Sequence, residues 1–266
     1  MPSGVGSAGP QGQQATAMVR FYAELNELLP VDERFRDLEV SAGVGETVKD
    51  LVEARGVPHA EIDLVLVNGE PAGFDHRVRA GDWISVYPVF ESLDISSIGR
   101  LRPEPLRTTH FVVDANLGTL ARYLRLCGFD TLYRNDIDDE ELAAISRAEK
   151  RVLLTRDVGV LKRKVVTHGY FVRATSPRAQ LVETVKRFDL STDIQPFTRC
   201  LRCNGLLIQV DKQDVIDELE PGTARSYDEF LRCGSCLSIY WRGAHYENLL
   251  AVVESARSSA ASAGRG

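Results

Sequence analysis

Three short apolar runs in the middle of the chain each end close to an aspartate. Asp114 and Asp157 come directly after the first and third runs, and Asp136 lies three residues beyond the second. The runs are residues 111–113, 131–133 and 152–156. Such runs, separated by helical patterns, indicate a parallel sheet that helices cover on both faces. The carboxyl ends of its strands meet at one edge, where ligands bind, so we expect the three aspartates to converge there.

The acidic residues within reach of this edge can bind a hard cation. They are Asp114, Asp136, Asp138, Asp139, Glu140 and Asp157. Crowded carboxylates repel one another unless a cation lies between them, and oxygen ligands select Mg²⁺ or Mn²⁺ over zinc. Two such ions can activate a water and steady the leaving oxygen during phosphodiester cleavage. An aspartate at such a position can instead cap a helix, and this role stays open for Asp138. Asp114 and Asp157 directly end buried strands, which favours a role in the metal site.

Two polar neighbours of these aspartates have two possible roles each. Arg156 either holds a scissile phosphate or pairs with the acidic residues. Asn116 either orients Asp114 or a metal-bound water, or it caps the helix that follows it. Cys127 continues the leucine spacing of that helix, which indicates a core residue.

Charge is unevenly distributed along the chain. The net charge is −6. Residues 18–95 contain 7 basic residues (Lys and Arg) and 16 acidic residues (Asp and Glu). Residues 107–187 contain 15 basic and 10 acidic residues, and residues 188–254 contain 6 basic and 11 acidic residues. A basic middle segment that also holds the aspartates indicates a nucleic-acid partner. The candidate phosphate contacts are Arg122, Arg125, Lys162, Arg163 and Lys164. For the run 162–164 alone, a solvated basic surface is the favoured alternative.

Four of the five cysteines form two C-x-x-C pairs, Cys200 with Cys203 and Cys233 with Cys236. Two such pairs supply the four thiolates of a tetrahedral zinc site, and four protein ligands leave no open position for a substrate. We therefore expect one structural zinc per chain in a zinc ribbon, with residues 211–227 inserted between the pairs. This cysteine usage also predicts a cytoplasmic protein, because disulfides are rare there and metal-binding thiolates persist.

The composition is that of a globular protein with two or three domains. Of 266 residues, 44% are hydrophobic and 26% are charged. No apolar run approaches the roughly 18 residues of a membrane span, so no membrane partner is expected. Residues 1–17 lack the basic start and apolar core of a signal peptide. We predict disordered tails at 1–17 and 255–266 and a linker at 96–108.

Residues 18–95 have the pattern of a small α+β domain. The motifs V-N-G-E at 67–70 and A-G-D-W-I at 80–84 resemble the ubiquitin-like sulfur carriers of the ThiS/MoaD type, which implies a β-grasp fold. The Asn-Gly pair within the first motif fits a tight turn. Those carriers end in a free Gly-Gly, whereas here the chain runs on without one. We therefore expect a docking or regulatory module rather than a sulfur carrier.

The motifs of the remaining chain together resemble the Mut-seven C-terminal RNase family. They are D-x-x-L-G-x-L-A-R-x-L-R-x-x-G-F-D at 114–130, D-D at 138–139, L-T-R-D at 154–157, the two cysteine pairs, and Y-W-x-G-x-H at 240–245. The resemblance implies an α/β PIN-like nuclease domain with a parallel sheet at 109–190 and an appended zinc ribbon at 191–254. A ubiquitin-like domain often precedes them in bacterial members.

The same resemblance implies a catalytic set that binds Mg²⁺ or Mn²⁺. Its members here would be Asp114, Asp136, Asp139 and Asp157, with Arg156 beside them. The second carboxylate position stays open, because Asp136, Asp138, Asp139 and Glu140 all lie within reach. The chain also departs from the family at Asn116, where a methionine is common.

These observations predict a Mg²⁺- or Mn²⁺-dependent endoribonuclease that leaves a 5′-phosphate and a 3′-hydroxyl. Single-stranded or looped RNA, with tRNA among the candidates, is the expected substrate because its backbone can bend into a crevice. A non-catalytic RNA-binding or ribosome-associated factor is the main alternative. A phosphohydrolase of the haloacid-dehalogenase type is a third, based only on residues 114–116. The acidic ubiquitin-like domain is expected either to lie across the RNA path as an internal inhibitor or to dock a protein partner.

Overall fold

The computed structural model describes residues 16–43, 45–88 and 109–261, with side chains through 258. Two compact units divide the described chain: 16–57 with 62–88, and 109–261 with the short segment 58–61. The predicted linker at 96–108 and residues 1–15 of the predicted first tail lie outside the described residues. No described helix is long and apolar enough to cross a membrane.

The first unit is a five-stranded sheet with one helix. Its strands are β1 (Thr16–Phe21), β2 (Asp37–Ser41), β3 (Ile62–Val67), β4 (Glu70–Pro71) and β5 (Trp83–Pro88). Their order is β2-β1-β5-β3-β4, with β1 and β5 parallel and the other pairs antiparallel. The helix α1 (Val48–Ala54) begins with a capping box between Thr47 and Asp50 and buries Val48, Leu51 and Val52. This arrangement confirms the ubiquitin-like fold.

The turn between β3 and β4 is the tight turn that the Asn-Gly pair predicts. Asn68 and Gly69 both have positive φ angles, 54° and 87°. These are the backbone angles that Asn and Gly tolerate best. Residues 16 and 17, predicted as the end of a disordered tail, are instead the start of β1.

The second unit begins with a parallel sheet. Its strands are β6 (Phe111–Val113), β7 (Thr131–Leu132), β8 (Val152–Thr155) and β9 (Gly169–Phe171), in the order β7-β6-β8-β9. All three pairings are parallel. The helices between and after them are α2 (Gly118–Leu126), α3 (Asp139–Ala148), α4 (Val158–Leu161) and α5 (Pro177–Arg187). The predicted parallel α/β domain is confirmed.

Alternate side chains of the central strands face opposite helical layers. Phe111 and Val113 of β6 join the core formed by α2 and α5, while Val112 between them joins the core of α3 and α4. In β8, Leu154 joins the core of α2 and α5, and Leu153 joins the core of α3 and α4. Both faces are therefore apolar, as a parallel sheet between two helical layers requires.

A three-stranded antiparallel sheet carries the cysteine pairs. Its strands are β10 (Leu207–Val210), β11 (Phe230–Cys233) and β12 (Ile239–Trp241), in that order. Between β10 and β11 lie two 3₁₀ turns and the short helix α6 (Pro221–Ser226), at the position of the predicted insertion.

The last helix, α7 (Tyr246–Ala261), belongs to the core of the α/β domain and not to the ribbon. Val252, Val253 and Ala256 are buried in the same apolar cluster as α2 and α5. Two predictions are thereby corrected: the ribbon does not extend to residue 254, and residues 255–261 are helical rather than a tail. Burial of this apolar stripe supplies the free energy that orders a Ser- and Ala-rich segment.

Arg125 fixes the ribbon to the α/β domain. This residue is 3% exposed, and its guanidinium donates to the carbonyl oxygens of Thr131, Leu201 and Arg202 at 2.9, 3.2 and 3.0 Å. The prediction that Arg125 contacts RNA is wrong, because these carbonyls use its donors and burial shields it from solvent. Arg122, three residues earlier on α2, is exposed.

Asp130 makes a second connection to the ribbon. Its carboxylate accepts hydrogen bonds from Arg151 at 2.6 Å and from Asn204 at 2.9 Å, and Arg199 lies at 3.5 Å. Burial raises the pKa of Asp130, but these hydrogen bonds and the two arginine charges together hold it below the ordinary value. Asp130 thus stays ionised at neutral pH and stabilises the junction.

We expect Arg125→Met to lower the free energy of unfolding by roughly 2–4 kcal/mol, because three carbonyl oxygens lose their donor. Urea unfolding monitored by circular dichroism measures this change. Arg122→Gln is the matched control on the same helix and should change stability by no more than about 0.5 kcal/mol. Equal effects of the two substitutions would contradict the bracing role of Arg125.

Candidate functional site

Asp114 and Asp157 lie at the carboxyl ends of the two central strands. Asp114 follows β6 and Asp157 comes two residues after the end of β8. From β6 the chain goes to its neighbour β7 on one side, and from β8 it goes to its neighbour β9 on the other side. The space between β6 and β8 is therefore the switch point at which α/β sheets bind ligands. The predicted convergence of these two aspartates at one edge agrees with this topology.

Thr155 joins the two aspartates. The Thr155 hydroxyl is fully buried and donates to Oδ2 of Asp114 at 2.6 Å, while it accepts from the backbone N–H of Asp157 at 2.9 Å. One side chain thus fixes the Asp114 carboxylate and the backbone that carries Asp157. The sequence reasoning missed Thr155; its place one residue before Arg156-Asp157, at the end of a buried strand, was the available signal.

Helix capping also occurs at this edge. Oδ1 of Asp114 accepts from the Asn116 N–H at 3.1 Å, Oδ1 of Asp157 from Gly159 at 2.6 Å, and Oδ1 of Asp138 from Glu141 at 2.8 Å. Asp138 is exposed, and its capping of α3 accounts for its position. Asp114 differs from an ordinary cap because it is 92% buried and its second oxygen is held by Thr155.

Asp136 and Asp139 lie at the periphery of this edge. The side chain of Asp136 is 84% exposed and lies 3.5 Å from Arg134, and that of Asp139 lies 4.0 Å from Arg163. Among the described residues, only the four cysteines form a group of three or more potential metal ligands within 4.8 Å of one another. The structure therefore does not gather Asp114, Asp136, Asp139 and Asp157 into one closed cage.

The neighbouring polar side chains take different roles. The Asn116 amide lies 3.4 Å from Oδ1 of Asp114, so it contacts that carboxylate as one of its two predicted roles requires. Arg156 is exposed, and its guanidinium donates to the carbonyl oxygens of residues 172–174 rather than to the acidic residues. Arg163 and Lys164, just beyond α4, are exposed, while Lys162 is partly buried.

A polar cleft of about 460 Å³ adjoins Asp114. It is lined by residues of the 3₁₀ turn at 115–117, the exposed side of α2, the segment after β7 and the start of α5. Tyr133 lies under the beginning of α2, where its hydroxyl approaches the Ala115 carbonyl oxygen at 3.1 Å. A Cβ atom on Gly118 would lie 2.7 Å from Cζ of Tyr133, so this glycine permits the approach.

The four cysteines form the second candidate site. The sulfur of Cys200 lies 3.6 Å from that of Cys236, and the sulfur of Cys203 lies 3.4 Å from that of Cys233. These separations exclude disulfide bonds, which are about 2.05 Å long, and approach the about 3.8 Å between sulfurs that bind one zinc at about 2.3 Å. The residues therefore fit a closed tetrahedral zinc site.

Hydrogen bonds around Cys233 and Cys236 favour their thiolates, whereas burial raises the pKa of the Cys203 thiol to about 12. The backbone N–H groups of Ser235 and Cys236 each donate to the sulfur of Cys233 at 3.4 Å. Hydrogen bonds from the side chain and the backbone of Ser238 lower the pKa of the Cys236 thiol to about 6. By contrast, burial raises the pKa of Cys127 to about 12, so this fifth cysteine is the core residue that its spacing predicts.

The two candidate sites lie at opposite edges of the parallel sheet. Asn204, next to Cys203, accepts from the backbone N–H of Thr131 at 3.0 Å, at the first residue of β7. Helix α2 starts beside Asp114 and runs nine residues, about 13 Å, to the ribbon side. The ribbon therefore supports the amino-terminal edge and does not reach the acidic edge through these contacts.

We expect the protein to bind one zinc per chain, and Cys233→Ser to abolish this binding and destabilise the ribbon, because the closed site loses one of its four ligands. Metal analysis of the purified protein together with circular dichroism before and after chelation measures both effects. Cys127→Ala is the control and should retain one zinc. Zinc loss in the control, or full zinc in Cys233→Ser, would contradict the assignment.

Family models match most of the chain. Residues 109–253 match the Mut7-C RNAse domain, and residues 14–94 match the model described as Mut7-C ubiquitin. No curated protein matches this chain. The crystal structure of H. volcanii small archaeal modifier protein 1 is similar at 25% identity over 28% of this chain and 97% of that chain, with a TM-score of 0.23. Because the first match spans more than half of the 266 residues, the chain belongs to the Mut7-C RNAse domain family, with the family's ubiquitin-like domain ahead of it.

Proposed function

We propose that the protein is a Mg²⁺- or Mn²⁺-dependent ribonuclease, and specifically an endoribonuclease. The observation that carries the proposal is the pair Asp114 and Asp157 at the switch point of the parallel sheet, joined through the buried hydroxyl of Thr155. Membership of an RNAse domain family supports a nuclease-type activity. Location at a switch point supports a ligand site rather than structural capping alone.

The donor set fits a hard divalent cation held by few protein ligands. Mg²⁺ is commonly bound through one or two carboxylates and keeps several waters for substrate phosphates to replace. Asp114 and Asp157 supply that number, and Asp136 and Asp139 stay proposed ligands at the periphery. When bound, the cation supplies an activated water and neutralises charge on the phosphate.

The protein's own side chains position the reaction. Thr155 and Asn116 hold the Asp114 carboxylate in one orientation, so that the ligand geometry exists before RNA arrives. Arg156 is held against the loop after β9 with its guanidinium near the surface, where it can also receive a phosphate. In the proposed in-line hydrolysis, water would attack phosphorus, the bond from phosphorus to the 3′ oxygen would break and that oxygen would take up a proton, which leaves a 5′-phosphate and a 3′-hydroxyl.

The proposed substrate is single-stranded or looped RNA, tRNA loops included. Arg122, Arg163 and Lys164 are exposed cations of the basic segment 107–187 and can contact the backbone phosphates, with Lys162 next to them. Asp157 is exposed, whereas Asp114 is only 8% exposed, so the RNA must bend to reach the Asp114 carboxylate, as a flexible strand can. The unpaired cysteines fit a cytoplasmic location.

We expect Asp114→Asn and Asp157→Asn each to lower the rate of metal-dependent RNA cleavage at least about 100-fold, because a neutral amide binds the cation poorly. The measurement is cleavage of labelled tRNA and of an unstructured RNA in Mg²⁺, Mn²⁺ or EDTA. Asp138→Asn is the matched control, because Asn also caps helices well and cleavage should persist. Cleavage that survives in both Asp114→Asn and Asp157→Asn, or in EDTA, would refute the mechanism.

A non-catalytic RNA-binding factor is the second candidate, and the ribbon favours it. A cavity of about 970 Å³ there is lined by aromatic side chains, among them Phe197, Tyr240, Trp241 and Tyr246. Phe197 and Tyr246 stack at 4.8 Å, and Trp241 is 41% exposed. Exposed aromatic rings are platforms on which unpaired bases stack. Salt-sensitive RNA binding without fragments in any metal would support this candidate over the nuclease.

We also propose that the acidic ubiquitin-like domain docks a basic protein partner or competes electrostatically with RNA for the basic segment 107–187. Asp32, Glu39 and Glu70 are exposed carboxylates of this domain. Neutralising all three with Asn and Gln should raise RNA affinity at low salt if the domain competes with RNA. Unchanged RNA affinity in this triple variant would leave partner docking as its role.

A further inference from the structure

The cleft beside Asp114 has a chemical character opposite to that of the acidic edge. Of the ten residues that line it, Arg122 is the only charged one. The others include three carboxamides, from Asn116, Asn135 and Gln180. Three hydroxyls also line it, from Thr119, Tyr133 and Thr175. A cleft that has one guanidinium, no carboxylate and many hydrogen-bonding groups is suited to an anion that carries a polar ring.

The cleft has the size and openness of a nucleotide site. Its volume of about 460 Å³ falls in the range of roughly 300–1,000 Å³ typical of small-ligand pockets. Asn116, Thr119, Arg122, Asn135 and Thr175 are exposed, so a ligand can reach them from solvent. Leu117 and Gln180 are buried and form part of its floor.

Hydrogen bonds fix the walls of the cleft. Tyr133 is held under α2 by the Ala115 carbonyl oxygen and also contacts the carboxamide oxygen of Asn135. The buried Gln180 donates its amide to the Ala174 carbonyl oxygen at 3.1 Å. Fixed carboxamides present a donor and an acceptor side by side, which is what the edge of an unpaired base requires.

Asn116 connects the cleft to the acidic edge. Its side chain lines the cleft, and its amide lies 3.4 Å from Oδ1 of Asp114. A nucleotide in the cleft would therefore be a direct neighbour, along the RNA chain, of a phosphodiester at Asp114.

We propose that this cleft binds one unpaired nucleotide next to the phosphodiester to be cleaved, with its phosphate on Arg122 and its base against Asn135. The inference rests on the proposed nuclease function for its role in cleavage, but the binding itself does not require cleavage. Arg122 would contribute to affinity for every nucleotide, because a guanidinium reads phosphate and not sequence. Asn135 would contribute to the preference among bases.

The test is calorimetric titration of the full chain with AMP, CMP, GMP, UMP and inorganic phosphate, in EDTA so that no divalent cation takes part. We expect at least one nucleoside monophosphate to bind at least tenfold more tightly than inorganic phosphate. Arg122→Gln should weaken binding of all four nucleotides at least fivefold, and Asn135→Ala should change the ratios among them. Arg147→Gln, an exposed arginine near the end of α3 outside the cleft, is the matched control and should change neither.

Three outcomes would overturn the proposal: no measurable nucleotide binding, equal effects of Arg122→Gln and Arg147→Gln, or inorganic phosphate binding as tightly as the nucleotides. Parallel cleavage assays separate this failure from failure of the nuclease. Normal RNA cleavage with no effect of Arg122→Gln on nucleotide binding refutes the cleft alone. Nucleotide binding that depends on Arg122, without RNA cleavage in any metal, refutes the nuclease alone.

Discussion

The structure of the second unit depends on a parallel sheet whose two faces must both be covered by apolar side chains. Alternate residues of β6 and β8 enter two separate cores, and polar residues flank both strands, so a shift by one residue would bring a polar residue from the end of a strand into the apolar sheet. The register in turn fixes where each strand ends. Asp114 follows the last apolar residue of β6, and its place at the open edge is a direct consequence of that register.

The two edges of this sheet serve different purposes. At the carboxyl edge, carboxylates, a buried hydroxyl and a polar cleft lie together, and several exposed polar groups remain available to a ligand. At the amino edge, Arg125 and Asp130 use their charges entirely in contacts within the protein. Removal of one partner from such a contact leaves the other unpaired at high cost, so these contacts hold the ribbon in place. The four-cysteine ribbon is thus separated from the acidic edge by the length of α2.

The four-cysteine ribbon and α7 follow the α/β sheet in the chain, and both pack against the domain that this sheet forms. The ribbon has few buried apolar residues of its own, and several large apolar side chains on it are exposed, including Leu206, Ile208 and Leu237. Four thiolates around one zinc would provide the stability that so small a core cannot supply. Helix α7 then returns to α2 and α5, so the segment that follows the ribbon completes the nuclease core.

The sequence by itself determined the elements and the chemical types of the sites. The signals were local: apolar runs of three to five residues, helical leucine spacing and two C-x-x-C pairs. The structure contains what they predicted, namely the parallel sheet, the ubiquitin-like domain and the four-cysteine site. Local sequence also allowed both roles of Asp138, and only the hydrogen bond to Glu141 showed that it caps α3.

Only the tertiary structure decided how side chains distant in sequence meet. Arg122 and Arg125 have the same residue type and lie on the same helix, yet one is exposed and the other is buried against the ribbon carbonyls of residues 201 and 202. Thr155 became a bridge because its strand lies next to that of Asp114, and residues 255–261 became helical because α2 and α5 offer them an apolar surface. These outcomes depend on contacts between residues far apart in the chain, which the periodicity of a short segment does not encode.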